Sequence, residues 1–141
     1  PNKSDFYTIE NNFNNKLNIK DTIKISRLTN DSLKISKQYI SDYNIYTITA
    51  MIKNESNDLY AGGYVCNYKT LGTIWSNHND IYIAKYDSDF NLLWDYRFDQ
   101  GSIDKINDMK MINGKLYAIG ESWYKENNNQ IKKRMRVLIL K

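Results

Sequence analysis

The chain has one cysteine, Cys66, one histidine, His78, and one proline, Pro1, in 141 residues. A single thiol excludes an internal disulfide framework and a thiolate zinc site. A single imidazole excludes histidine-clustered metal centres and any catalytic pair of histidines. Only six glycines are present, and none falls into a G-x-G-x-x-G or Walker spacing, so no phosphate-cradling loop is written into the chain. No window approaches the roughly 18 uninterrupted apolar residues that a membrane-crossing helix needs. The chain opens on Pro1 with neither a methionine nor a signal-peptide pattern, which reads as a mature or trimmed form. No metal and no cofactor are expected.

What is present fits one globular domain. Apolar residues make up 41% and charged residues 26%, too apolar for a disordered tail. Sixteen Lys against four Arg, with 19 Asn, 18 Ile and 12 Tyr, is the composition an AT-rich genome produces, so the Asn count carries little structural meaning. The net charge of +4 is unevenly placed. Residues 125–141 hold six bases and one acid, a net +5, and the other 124 residues hold 14 bases and 15 acids, a net −1.

No helical period lasts more than about two turns, while short Ile-, Tyr-, Thr- and Val-rich runs alternate with Asn, Asp, Gly and Ser clusters. The pattern predicts an all-β chain of ten strands, at roughly 5–10, 22–28, 33–40, 45–52, 59–65, 80–86, 92–98, 106–112, 115–121 and 135–141. The strands repeat. Phe6-Tyr7-Thr8, Leu59-Tyr60-Ala61 and Leu116-Tyr117-Ala118 open three equivalent strands. Ile23–Arg27, Ile81–Lys85 and Val137–Lys141 form a second set. Asn113-Gly114 marks a hairpin, because a type I′ turn needs positive φ at both central residues. Asp80–Tyr86 is apolar on both faces, which suits a strand covered from two sides.

A period near 55 residues holding four antiparallel strands points to β-propeller blades. The expected architecture is a partial β-propeller of about two and a half four-stranded antiparallel blades. The copies lie at about 1–58, 59–115 and 116–141 of a single unit. A ten-stranded β-sandwich is the alternative. Asn79–Trp94, with Asp80-Ile81-Tyr82-Ile83-Ala84-Lys85 leading into Asp87-Ser88-Asp89-Phe90-Asn91-Leu92-Leu93-Trp94, resembles the bacterial β-propeller repeat of the SBBP type. Leu59–Tyr64 is similar to that family's L-Y-V-A-G-Y signature. Phe90 departs from the pattern, where the family often has glycine. The resemblance implies an exported bacterial protein, periplasmic or on the cell surface, and it implies no catalytic residues.

Several constellations carry candidate chemistry. Asp87-x-Asp89-x-Asn91 starts like a calcium loop but has Leu92 and Phe98 where an EF-hand needs Gly and Glu, so turn-capping is the plainer reading. Asp104 and Asp108, an even spacing on a strand, would share a face, as the two carboxylates of a glycosidase must. Cys66 and His78 share a loop region without a third group to orient the imidazole. Lys132, Lys133, Arg134 and Arg136 follow Trp123 and Tyr124, a mixture that suits single-stranded nucleic acid, but one basic hairpin is a small footprint and no nucleic-acid partner is expected.

The stretches 11–21, 66–79 and 122–134 read as long loops that a propeller would place on one face. They carry Tyr68, Trp75, His78, Trp123 and Tyr124, the candidate ligand-binding residues. The expected function is a non-catalytic binding or scaffold module that meets a glycan or a protein partner through these loops. The rival is a carbohydrate-active enzyme using Asp104 and Asp108. Two and a half blades cannot close a ring, so the remaining blades are expected from a longer parent chain, a companion fragment or a homodimer.

Overall fold

The computed structural model describes residues 6–12, 21–29, 32–41, 44–67, 79–98, 103–125 and 131–140. They form ten strands: β1 (Phe6–Asn12), β2 (Asp21–Thr29), β3 (Ser32–Ser41), β4 (Asn44–Lys53), β5 (Leu59–Asn67), β6 (Asn79–Tyr86), β7 (Leu92–Phe98), β8 (Ile103–Ile112), β9 (Lys115–Lys125) and β10 (Ile131–Leu140). The chain is all-β. Among the described residues no helix is long and apolar enough to cross a membrane. The largest difference from expectation is at β9 and β10, which lengthen toward each other and take in Trp123, Tyr124 and the basic run.

Three antiparallel meanders follow one another. β1–β2–β3 forms one sheet, and the other seven strands form a second, ordered β10–β9–β8–β6–β5–β4 with β7 also paired to β6. Its only parallel step, among the described residues, is the single pair Asn79↔Ile103 that joins β8 to β6. The sheet is therefore mixed and unclosed.

Burial explains the order of the layers. Ile25 of β2 packs with Ile48, Leu59, Ala61, Val65, Tyr82, Ala84, Tyr86 and Phe90 on one side of the β4–β7 meander. Ile81, Ile83, Ile106, Met109, Leu116 and Ala118 form a second cluster on the other side. β6 thus has consecutive buried residues from Ile81 to Ala84, as a strand covered on both faces must.

β4–β5 and β8–β9 share an irregularity. The register slips between Ile48 and Ala50 in one pair and between Ile106 and Asp108 in the other, so Thr49 and Asn107 are bulged. Gly63 faces the first bulge and Gly120 the second. A Cβ on Gly63 would collide with the Thr47 carbonyl, and one on Gly120 with the Lys105 carbonyl. Glycine is needed here for close backbone approach. The Thr49 hydroxyl reaches the carbonyl oxygens of Gly62, at 3.2 Å, and of Ile106, tying β4 to β8.

The bulge in β8 overturns one sequence expectation. An extra residue reverses the alternation beyond it. Asp104 pairs with Ser122 on the buried face, whereas Asp108 pairs with Ile119 on the exposed face. The two carboxylates lie on opposite faces. The strand alignment of the third meander also shifts. Ile139, not Lys141, stands opposite Tyr117, the place that Lys85 holds opposite Tyr60 and Arg27 holds opposite Tyr7. A shift of two residues keeps every side chain on its expected face.

Candidate functional site

The β4–β5 and β6–β7 turns are built alike. Asn54 and Asp87 open them, and Asp58 and Asn91 close them. The Asn54 N–H donates to the Asp58 carbonyl and the Asp87 N–H to that of Asn91, both at 3.0 Å. The closing N–H donates to the opening side chain, at 2.8 Å in Asp58→Asn54 and 2.7 Å in Asn91→Asp87. Asp87 also accepts the Asp89 N–H at 2.9 Å and the Asn91 side-chain amide at 2.7 Å, which engages both of its oxygens within the turn. Turn-capping is what these side chains do. The fourth residue is left-handed in each turn, Asn57 at φ 66° and Phe90 at φ 62°. Lys85 bridges toward the first turn, 2.8 Å from Asp58. That hydrogen bond holds the Asp58 carboxyl below its usual range and raises Lys85.

The expected binding residues divide. Tyr68, Trp75 and His78 lie outside the described residues. Trp123 and Tyr124 do not sit in a loop but on β9, opposite Lys133 and Lys132. Glu121, 7% exposed, organises them. It forms ion pairs with Lys133 of β10 and, at 3.0 Å, with Lys105 of β8, and it accepts the Trp123 indole N–H at 3.3 Å. The Lys133 hydrogen bond, helped by those from Lys105 and Trp123, outweighs burial and lowers the Glu121 pKa to about 2. Lys133 lies 5.5 Å from the Trp123 ring centroid, and the Arg134 guanidinium lies 4.0 Å from that of Tyr124. Two aromatic rings are thus held in place by cations, with Trp123 still 36% exposed.

Asp104 is fully buried, and neither of its oxygens has a hydrogen-bond partner among the described residues. Cys66 lies on β5, and its expected companion His78 lies outside the described residues.

A second aromatic row lies on β7. Trp94 meets Tyr60 edge-on at 5.9 Å, Tyr96 follows Trp94 at 5.3 Å, and Phe98 follows Tyr96 at 6.2 Å. With Leu140 they line a groove of about 270 Å³. The signal was legible: Trp94-x-Tyr96-x-Phe98 puts three rings on one face of a strand. Comparison with protein-family models and with curated proteins returned no match.

Proposed function

We propose that this chain is a non-catalytic binding or scaffold module of an exported bacterial protein, built from propeller-type blades and meeting a glycan or protein partner through clustered aromatic side chains. The observation that carries the binding reading is the Trp123–Tyr124 pair. Both rings stand beside cations, and Trp123 keeps a solvent-facing surface while Glu121 and Lys133 fix its orientation. A pre-positioned aromatic beside hydrogen-bonding groups costs little ordering entropy on binding and suits stacking against a sugar ring or anchoring a peptide.

Three features support the blade reading. The bulge with its facing glycine recurs at Thr49/Gly63 and Asn107/Gly120. The middle meander has four strands and buries both faces of β6. The face of β9–β10 that carries Met135, Val137 and Ile139, at 76%, 54% and 56% exposure, corresponds to the β6 face on which Ile81 and Ile83 are buried. A further meander would cover it.

Tryptophan fluorescence titrated with a panel of oligosaccharides, alongside an assay for released reducing ends, tests the proposal. Saturable quenching that Trp123→Ala abolishes, without release, is the expected result. Release of reducing ends would replace it with the enzyme reading, which has lost the Asp104–Asp108 pair to the bulge in β8.

A further inference from the structure

Among the described residues Asn57, Phe90 and Asn113 adopt left-handed backbone without being glycine, at φ 66°, 62° and 50°. Two of them are asparagines at hairpin tips. The side-chain amide of an asparagine is an electrophile, and the main-chain nitrogen that follows it is a nucleophile one residue away. The β4–β5 turn guards its asparagines. The Asp58 nitrogen, which follows Asn57, donates to the Asn54 side chain at 2.8 Å, and the Asn54 amide donates to the Asp58 carboxylate at 3.1 Å. In the β6–β7 turn the Asn91 amide donates to Asp87 at 2.7 Å.

The β8–β9 turn is built differently. Ile112↔Lys115 is its closing pair, so Asn113 and Gly114 stand beyond the ladder, and both are exposed. Gly114 has no side chain to shield its nitrogen, and nothing lies within 4 Å of where a Cβ would stand. No other asparagine in the chain precedes a glycine. The tip of a hairpin also opens at less cost than the ladder behind it.

We propose that Asn113 is a site of spontaneous covalent modification, where the chain turns its own asparagine into aspartate and isoaspartate. The Gly114 nitrogen attacks the side-chain carbonyl carbon of Asn113 and gives up its proton, and the side-chain nitrogen leaves as ammonia. A five-membered succinimide remains. Water then adds to one of its two carbonyls. Addition at the side-chain carbonyl breaks its bond to the Gly114 nitrogen and gives aspartate. Addition at the main-chain carbonyl frees that carboxylate and gives isoaspartate, in which the chain runs through the side chain. No oxidant or reductant takes part. The ring cannot close within the type I′ geometry, so the turn must first open, and the folded chain reacts more slowly than the unfolded one. Either product adds a negative charge to a chain of net charge +4. Isoaspartate also lengthens a two-residue turn by one main-chain carbon, which disturbs the Met111↔Leu116 pair behind it, where Leu116 is buried. The site is separate from the Trp123–Tyr124 surface and stands whether or not that surface binds a glycan.

The test ages the intact chain at mildly alkaline pH in heavy-oxygen water and maps its peptides by mass spectrometry. Asn113 should become an acid ahead of every other asparagine, with the heavy oxygen in the new carboxylate and both isomers present. Denaturant should speed the conversion severalfold. Asn113→Gln should remove the more acidic species that ion exchange resolves from the aged protein, because the larger ring closes far more slowly. The isoaspartate fraction should melt at a lower temperature than the aspartate fraction. An Asn113 still intact when other asparagines have reacted, conversion of Asn57 at the same rate, or no conversion at all after several weeks overturns the proposal. The mapping uses the unaltered protein, so it decides the matter even if Asn113→Gln fails to fold.

Discussion

Phe90 shows how one residue balances two terms. At φ 62° it occupies a conformation that usually favours glycine, yet its ring is only 1% exposed. The left-handed backbone costs about 1–2 kcal/mol in a residue with a Cβ, and burying a phenylalanine side chain is worth about 3 kcal/mol or more when judged by truncation. Burial wins. Phe90→Ala should therefore destabilise by about 3–5 kcal/mol, and Phe90→Gly, which also relieves the backbone, by about 1 kcal/mol less. Denaturant midpoints for the two variants check the ordering, which is opposite to that of an ordinary strand position. Glu121 gives a pH signature. Its pKa is about 2 in the folded chain against 4.5 ordinarily, so the folded state favours its charged form. That contribution is complete above pH 4.5 and is lost as pH falls toward 2. Glu121→Gln should flatten this part of the stability–pH curve measured by thermal melts.

At the scale of elements, the bulges and turns determine which side chains share a face. Gly63→Ala and Gly120→Ala each drive a Cβ into a backbone carbonyl that cannot move without breaking a ladder. Each should cost about 3 kcal/mol, the upper range for overpacking. Gly114 is the control. Asn113 and Gly114 have φ of 50° and 73°, the type I′ turn expected of the pair, and nothing lies within 4 Å of a Cβ there. Gly114→Ala should cost only the backbone term, about 1 kcal/mol. β7 is more open than the strands it joins. Trp94 packs against the second core cluster but is only half-buried. Its truncation should cost about 2–3 kcal/mol, below the 3–5 kcal/mol typical of an enclosed tryptophan.

Over the whole molecule, apolar surface is distributed unevenly. Among the described residues β6 is covered on both sides, while β9 and β10 present Ile119, Met135, Val137 and Ile139 to solvent. An apolar sheet face exposed among the described residues favours association. Light scattering of the chain should show concentration-dependent assembly. Val137→Lys and Ile139→Lys should reduce it while shifting stability by no more than about 1 kcal/mol, as exposed positions do. A monomer at all concentrations with a sharp two-state melt would favour the sandwich.

The sequence by itself determined the strand content, the polar turns and the two-sided burial of β6. These follow from local chemistry: β-branched and aromatic residues in alternation, Asn and Asp that bond to their own backbone, and an Asn-Gly pair that accepts positive φ. Leu59-Tyr60-Ala61 and Leu116-Tyr117-Ala118 mark two further strands, whose tyrosines stand opposite Lys85 of β6 and Ile139 of β10. Tertiary structure decided what depends on the partner strand. Nothing in Ile103–Ile112 read alone announces the bulge at Asn107, because a bulge is a relation between two strands, and it put Asp104 and Asp108 on opposite faces. Trp123 and Tyr124 read as loop residues, since a polar, charged run follows them. Their place on β9 comes from the pairing with Lys132 and Lys133 and the ion pairs of Glu121 across three strands. The aromatic row Trp94–Tyr96–Phe98 was written in the sequence, but only the assembled sheets, which bring Leu140 of β10 beside it, made it the wall of a groove.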